Sequence, residues 1–205
     1  MNIKWIFFDL GSTLIDETEA DNHRIRDMIE GTNISFDTFN NKRIEFAWKG
    51  LEGDQEAIKY FGLKKTPWHS EDETPFENSY ATLDYLKNRG YKLGIIANQV
   101  IGTSQRLDSW GLLEFFDIII TSAELGVSKP NKLIFEKAFE LSRCKPTDSV
   151  MVGDRLDNDI NPAKSLGMKT VWIRRNFSIY QNSKYGDNIV DWVISDITDL
   201  KDIFI

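Results

Sequence analysis

Five polar residues at or beyond the ends of apolar runs have types that could do chemistry: Asp9, Asn98, Lys129, Asp154 and Asp159. Carboxylates that are brought together repel one another unless they share a cation. Ligands that are all oxygen suit a hard ion such as Mg²⁺. A lysine beside them supplies a compact positive charge for a phosphate or for a nucleophilic carboxylate. These residue types therefore predict a site for a hard cation such as Mg²⁺, next to a lysine that faces either a phosphate or a nucleophilic carboxylate.

These residues can meet only if the apolar runs form neighbouring strands. Six short runs span residues 3–9, 92–98, 117–121, 149–154, 169–174 and 189–194. Their near-continuous apolar character is typical of strands that are buried on both faces, and helical stretches lie between them. This alternation predicts a doubly wound α/β fold with a parallel sheet. The polar residues are then expected at one edge of the sheet, where open α/β sheets bind ligands.

One long segment breaks the alternation of strands and helices. From Asp16 to about Thr74 no strand-like run occurs, and a crossover between parallel strands needs only one helix. Helical patterns are found there instead, over roughly 18–30, 35–49 and 53–61, with Ser35 as a candidate N-cap and Gly62 after the last. We predict a helical cap over the carboxyl ends of the strands. The expected division is a core domain of residues 1–15 and 76–205 and a cap of residues 16–75.

Composition and charge limit the functions that the chain can have. Its 205 residues are 41% hydrophobic, which is enough for a real core, and its net charge is −7 with acids and bases mixed. We expect no nucleic-acid or membrane partner, because either needs a concentrated basic face. Cys144 is the single cysteine, so no internal disulfide is possible, and no run resembles a signal peptide or a membrane span. A cytoplasmic protein with a small-molecule substrate is expected, and its oligomeric state is left open.

Taken in order, the motifs resemble those of the haloacid dehalogenase superfamily, most of whose members are Mg²⁺-dependent phosphatases. The resemblance lies in Asp9-x-x-x-Thr13, in Asn98 after a strand, in Lys129-Pro130 and in GDRLDND (153–159). It covers essentially the whole chain, and the helical insertion matches the subgroup whose cap follows the first motif. The resemblance implies a Rossmann-like core and the hydrolysis of a small phosphorylated substrate.

The resemblance also implies a role for each matching residue. Asp9 would be the nucleophile that forms an aspartyl-phosphate, and Lys129 would hold both Asp9 and the phosphoryl oxygens. Asn98 would help to bind the phosphate. The implied Mg²⁺ ligands are the carboxylates of Asp9 and Asp154 and the backbone carbonyl of Gly11, with Asp159 orienting the water shell of the ion.

Two positions depart from the family pattern. Phosphatases of the family usually carry a second Asp two residues after the nucleophile, which protonates the leaving oxygen and then activates water, but Gly11 stands there. Ala97 replaces the hydroxyl residue that is usual in the second motif. Loss of a general acid or base costs about 10²–10⁴-fold in rate. A slow enzyme is therefore expected, unless Asp16, Glu17 or His23 delivers the proton instead.

Three functional hypotheses follow from these residues. The first is a Mg²⁺-dependent phosphatase for a small phosphomonoester enclosed by the cap. The second is a dehalogenase-like hydrolase, in which halide leaves without a proton, although such enzymes work without metal and Asp154 and Asp159 favour one. The third is a binding or regulatory protein of low activity, suggested by Gly11 and Ala97. Basic residues of the cap could contact an anionic substrate or simply face solvent: Arg24, Arg26, Lys42, Arg43 and Lys59.

Overall fold

A six-stranded parallel sheet forms the centre of the molecule in the computed structural model, which describes residues 2–182 and 187–205. The described residues form eight strands, of which β2 and β3 lie outside this sheet and pair with each other. The strands are β1 (Trp5–Phe8), β2 (Ile15–Asp16), β3 (Thr74–Pro75), β4 (Lys92–Ala97), β5 (Ile118–Thr121), β6 (Ser149–Gly153), β7 (Lys169–Ile173) and β8 (Trp192–Ile194). The order across the sheet is β5-β4-β1-β6-β7-β8, with parallel pairing throughout. The six predicted strands are confirmed, although the last begins at Trp192 and not at residue 189.

Packing on both faces of the sheet explains the apolar character of its strands. Ile6 and Phe8 belong to the core cluster on one face, whereas Phe7, between them, belongs to the cluster on the other. All three side chains are fully buried. Successive residues of one strand point in opposite directions, so a strand that is covered on both sides needs apolar residues at every position. The predicted doubly wound α/β fold is confirmed.

Helices lie between the strands and throughout the inserted segment. They are α1 (Thr18–Ile29), α2 (Phe36–Trp48), α3 (Gly53–Phe61), α4 (Ser79–Asn88), α5 (Thr103–Ser109), α6 (Ser122–Leu125), α7 (Lys132–Ser142), α8 (Asn161–Ser165) and α9 (Leu200–Ile203). Ser35 caps α2 as predicted, because its hydroxyl accepts the backbone N–H of Thr38 at 3.1 Å. Gly62 follows α3 with a left-handed φ of 66°. Within the described residues, no helix has both the length and the apolar character that crossing a bilayer requires.

The inserted helices have a small core of their own. Ile25, Phe39 and Ala57, one from each of α1, α2 and α3, are buried together. The insertion begins and ends at a ribbon that the sequence did not indicate, in which β2 and β3 pair antiparallel with Asp16 opposite Thr74. Strands of two residues are too short to produce an alternating pattern. The three helices thus form one packed group at the end of this ribbon.

Candidate active site

Two of the predicted site residues follow neighbouring central strands. Asp9 comes directly after β1, and its backbone N–H donates to the carbonyl of Val152 at 2.9 Å. Asp154 comes directly after β6, which pairs in parallel with β1. Parallel strands end at the same edge of a sheet, so the pairing brings the two carboxylates together. Trp172 on β7 fixes Asp154 further, because its indole N–H donates to the Asp154 carbonyl at 2.8 Å.

The Lys129 ammonium lies between two carboxylates. Its Nζ is 2.6 Å from Oδ1 of Asp9 and 2.6 Å from Oδ1 of Asp159, and the residue is only 4% exposed. Burial alone would lower the pKa of Lys129, but the charges of Asp159 and Asp9 outweigh it and raise the pKa above its usual value. The ammonium therefore stays charged and faces Asp9.

Three carboxylates surround this position, which is more than one lysine can neutralise. Oxygens of Asp9, Asp154 and Asp159 lie within 4.8 Å of one another, and all three residues are buried. Burial, followed by the charges of Asp159 and Asp9, holds the pKa of Asp154 well above its usual range. Burial also raises the pKa of Asp159 to about 6, although Lys129 opposes the shift. In the described part of the chain, Asp154 takes part in no ion pair, so this oxygen-only set fits a divalent cation such as Mg²⁺.

Gly153 makes room for the Asp159 carboxylate. A Cβ at Gly153 would lie 2.5 Å from Oδ2 of Asp159, so a side chain there would displace this group. The same oxygen accepts the backbone N–H of Arg155 at 2.9 Å, next to a π-helical turn over Leu156–Ile160. The glycine and the turn together explain the spacing of the motif, because they bring Asp159 back beside Asp154.

The Asn98 side chain holds the Lys129 loop at the end of β4. Its Oδ1 accepts the backbone N–H of Lys129 at 2.7 Å, and its Nδ2 donates to the Lys129 carbonyl at 3.0 Å. Asn98 lines the pocket and is exposed to it. This reciprocal pair uses one of its two amide N–H groups and leaves the other for a ligand. Asn98 therefore positions the Lys129 backbone, and its role toward a phosphate stays a prediction.

A pocket of about 790 Å³ opens over the carboxylate cluster, a size that suits a small molecule. All of the predicted site residues line it: Asp9, Gly11, Asn98, Lys129, Asp154 and Asp159. The inserted helices contribute the facing wall, which includes Asp21, Arg24, Arg43 and Asp54. The strand ends therefore form the floor of the pocket, and the insertion forms its roof.

The basic residues considered as anion contacts divide into two groups. Arg24 and Arg43 line the pocket, but each of them pairs with both Asp21 and Asp54, at N–O distances of 3.0 Å or less. Their charge is thus neutralised within the roof itself. The others do not line the pocket: Arg26, Lys42 and Lys59.

The Glu17 carboxyl lies against Gly11. A Cβ built on Gly11 would be 2.3 Å from both carboxylate oxygens of Glu17. Glu17 is half-buried and lines the pocket. Burial, and then the charges of Asp9, Glu73 and Asp21, raise the pKa of Glu17 to about 8. The sequence indicated Glu17 only as one of three possible proton donors, because contact with a glycine leaves no local pattern.

Two histidines of the insertion meet although they are far apart in sequence. The rings of His23 and His69 stack with centroids 3.6 Å apart and an interplanar angle of 8°. Asp27 lies 2.7 Å from Nε2 of His69, and Glu71 lies 3.1 Å from its Nδ1. Hydrogen bonds to Asp27 and then to Glu71 raise the pKa of His69 above 6.5. This pair lies outside the pocket lining.

The Asp27→Asn variant is expected to lower the pKa of His69, because it removes the main carboxylate partner of the ring. A raised histidine pKa stabilises the folded state below the unfolded-state value, and that contribution is lost as the pH rises through the folded-state pKa. The variant should therefore lose stability at mildly acidic pH and little at alkaline pH. An NMR titration of the imidazole signals measures the shift, with Asp37→Asn on the exposed start of α2 as the control. An unchanged His69 titration would contradict this account.

A family model described as haloacid dehalogenase-like hydrolase matches residues 6–173 of the chain. This stretch runs from β1 to the end of β7 and contains every predicted site residue. The chain belongs to the haloacid dehalogenase-like hydrolases, and the resemblance seen in its motifs is confirmed.

Curated relatives of the chain are phosphatases. It is 31% identical to the glyceraldehyde 3-phosphate phosphatase of Pyrococcus furiosus, over 98% of this chain and 92% of the relative. It is 40% identical to the enzyme of the same name from Methanothermobacter thermautotrophicus, where the match spans 63% of this chain and 58% of the relative. A solved HAD phosphatase from Thermococcus onnurineus is 27% identical, with a TM-score of 0.67 over 98% of this chain and 97% of that one. The predicted enzyme class, a hydrolase related to phosphatases, is confirmed.

Proposed function

We propose that the protein is a Mg²⁺-dependent phosphatase that cleaves a small phosphomonoester through an aspartyl-phosphate on Asp9. The observation that carries this proposal is the placement of Lys129, whose ammonium contacts Asp9 and Asp159 on the floor of the pocket. Phosphoryl transfer depends mainly on charge neutralisation and in-line positioning. A carboxylate nucleophile held beside a buried ammonium meets both needs, and the names of the relatives support the same reaction.

The groups of the chain have separate tasks in this mechanism. Asp9 supplies the nucleophilic oxygen. Lys129 holds that oxygen and the incoming phosphoryl group together by charge-assisted hydrogen bonds. Asn98 fixes Lys129 through its backbone and offers an amide N–H to the phosphoryl group. The pocket walls limit bulk water, so these electrostatic contacts are stronger than they would be in open solvent.

The same floor contains the groups that would hold Mg²⁺. These are the carboxylates of Asp9 and Asp154 and the carbonyl of Gly11, with Asp159 orienting the water shell. When bound, the ion would neutralise charge on the phosphoryl oxygens. Asp154 supports this role most directly, because among the described residues it has two carboxylate neighbours and no ion-pair partner.

The paired arginines in the roof of the pocket favour a substrate that carries little charge beyond its phosphate. We infer that residues 16–75 act as a cap on a catalytic core of residues 1–15 and 76–205, hinged at the ribbon of β2 and β3. Arg24 and Arg43 are already neutralised by aspartates, so neither arginine offers a strong site for a second anionic group, and Lys65 is the lysine of the cap that lines the pocket. Glyceraldehyde 3-phosphate, the substrate named for the relatives, fits this condition because its remaining groups are uncharged.

A metal-supplemented screen of small phosphomonoesters tests the proposal. Glyceraldehyde 3-phosphate belongs in the panel, with pyrophosphate, named for other relatives, and a 2-haloacid as contrasts. Metal-dependent release of phosphate from a monoester is the expected result. Release of halide without metal would support the dehalogenase alternative. No release from any compound, with Mg²⁺ binding retained, would support the binding or regulatory alternative.

Removal of divalent metal is expected to abolish phosphatase activity, and added Mg²⁺ is expected to restore it. Binding should also stabilise the fold, by about 2.7 kcal/mol when Mg²⁺ is 100-fold above its dissociation constant. The Asp154→Asn variant should lose most of this stabilisation. Among the carboxylates proposed to bind the ion, Asp154 is the one that pairs with no basic side chain of the described residues. Urea unfolding with chelator and with Mg²⁺ measures the effect, and Asp108→Asn at an exposed position is the matched control. Equal stabilisation of Asp154→Asn and the unsubstituted protein would contradict the site.

A further inference from the structure

Glu17 fills the space that a side chain on Gly11 would occupy. The built Cβ would lie 2.3 Å from both carboxylate oxygens of Glu17 and 2.4 Å from the carbon between them. Gly11 stands two residues after Asp9, and all three residues line the same pocket. A carboxyl group is therefore present beside position 11, although residue 11 has no side chain.

A chain of hydrogen bonds orients the side-chain amide of Gln99, which contacts Glu17. Oε1 of Gln99 accepts from Nη2 of Arg106 at 2.6 Å, so the amide nitrogen of Gln99 faces Oε1 of Glu17, at 3.5 Å. Arg106 is held in turn by Glu73, which also accepts the indole N–H of Trp68 at 2.6 Å. Within the described residues, the Glu17 side chain makes no capping bond to α1. Its carboxyl is thus free to lie in the pocket.

The other two candidates for proton delivery are occupied elsewhere. Oδ1 of Asp16 accepts the backbone N–H of Thr18 at 3.0 Å and its hydroxyl at 2.6 Å, so this carboxylate is held by the first residue of α1. His23 pairs with Asp72 at 2.8 Å. Neither Asp16 nor His23 lines the pocket, whereas Glu17 does.

We propose that Glu17 is the general acid and base of the phosphatase reaction, and this inference rests on the function proposed above. In the first step a carboxylate oxygen of Asp9 bonds to phosphorus, the bond to the leaving oxygen breaks, and the Glu17 carboxyl gives that oxygen its proton. In the second step the Glu17 carboxylate takes a proton from water as the water oxygen bonds to phosphorus. The bond between phosphorus and Asp9 then breaks, and both side chains regain their starting forms.

The Glu17→Gln variant separates proton transfer from the other properties of this side chain. Glutamine has nearly the size of glutamate and can still form hydrogen bonds, but its amide cannot act as a general acid or base. With glycerol phosphate, an alkyl ester whose leaving oxygen needs a proton, kcat is expected to fall about 10²–10⁴-fold. With 4-nitrophenyl phosphate, whose leaving group needs none, a burst of nitrophenolate stoichiometric with sites should remain while steady-state turnover falls. Glu19→Gln, at an exposed position in the first turn of α1 just after Glu17, is the matched control.

Moving the carboxyl to position 11 provides a second test. The φ of Gly11 lies outside the left-handed region, so an L-residue fits its backbone, and the three atoms nearest to the built Cβ all belong to the Glu17 carboxyl. Gly11→Asp alone should therefore lose activity through this clash. The double variant Gly11→Asp/Glu17→Ala should turn over the alkyl ester at least about tenfold faster than Glu17→Ala, because it restores an acid at the same place.

The outcomes distinguish this inference from the function on which it rests. If Glu17→Gln hydrolyses the alkyl ester as fast as the unsubstituted protein, Glu17 is not the acid and base, and the phosphatase proposal stands. If the unsubstituted protein releases no phosphate and forms no phosphoenzyme, both proposals fail. If Glu17→Gln is inactive because it is unfolded, the double variant Gly11→Asp/Glu17→Ala decides instead. The inference is overturned if this double variant hydrolyses the alkyl ester no faster than Glu17→Ala does.

Discussion

Asp9→Asn is expected to abolish turnover, with kcat falling by about 10³–10⁶-fold. An amide cannot attack phosphorus as a carboxylate does, so no aspartyl-phosphate can form. The fold should survive, because Lys129 keeps Asp159 as a partner at 2.6 Å. The metal-free carboxylate cluster also loses one of its mutually repelling charges. We therefore expect a protein that is inactive yet, in chelator, at least as stable as the unsubstituted one.

Two measurements separate these effects of Asp9→Asn. Phosphate release and intact-mass analysis of acid-quenched protein report on turnover and on the phosphoenzyme, and urea unfolding in chelator reports on stability. Asp108→Asn makes the same chemical change at an exposed position and should alter neither. Retained turnover would show that Asp9 is not the nucleophile. A large loss of stability would show instead that Asp9 mainly supports the fold.

Lys129→Met is expected to lose both activity and stability. Methionine keeps most of the volume of the buried aliphatic part of the lysine side chain, but Asp9 and Asp159 lose the ammonium that each contacts at 2.6 Å. Removing one partner of a buried ion pair costs about 3–5 kcal/mol, because it leaves uncompensated charge. Mg²⁺ should offset part of this loss, since it would bind among the same carboxylates. The urea midpoint is therefore expected to fall strongly in chelator and to recover in part with Mg²⁺.

A second substitution tests whether charge is the cause of the Lys129→Met effect. Lys129→Met/Asp159→Asn removes one charge of each sign, so it should be more stable in chelator than Lys129→Met alone. Unfolding of the two single variants and the double variant gives their coupling free energy. Lys132→Met, at the exposed start of α7, is the matched control. A Lys129→Met protein as stable as the unsubstituted one in chelator would contradict the proposed ion pairs.

Local sequence patterns were sufficient for most of the fold. Continuous apolar runs predicted the six strands of the sheet, because burial on both faces acts on every residue of a strand. Ser35 and Gly62 marked helix ends, because capping depends on immediate neighbours in the chain. The ribbon of β2 and β3 was missed, since two residues carry no period. The cytoplasmic location and the absence of nucleic-acid and membrane partners stay predictions from composition.

The order of the motifs also predicted which residues would gather. Asp9, Asn98 and Asp154 each follow a strand of the parallel sheet, and parallel strands end at a common edge. That rule needs strand direction alone, so it could be applied before any contact was known. The roles assigned to these residues remain proposals, and the variants described above test them.

The class of the fold and the set of reactive groups could be inferred from the amino-acid sequence alone. How their charges are paired is evident only in the folded protein: Lys129 contacts both Asp9 and Asp159, Arg24 and Arg43 each pair with Asp21 and Asp54, and the Glu17 carboxyl lies beside Gly11. These contacts depend on how strands and inserted helices pack over long distances along the chain. Electrostatic energy follows separation in space, whereas a local sequence pattern reports only separation along the chain.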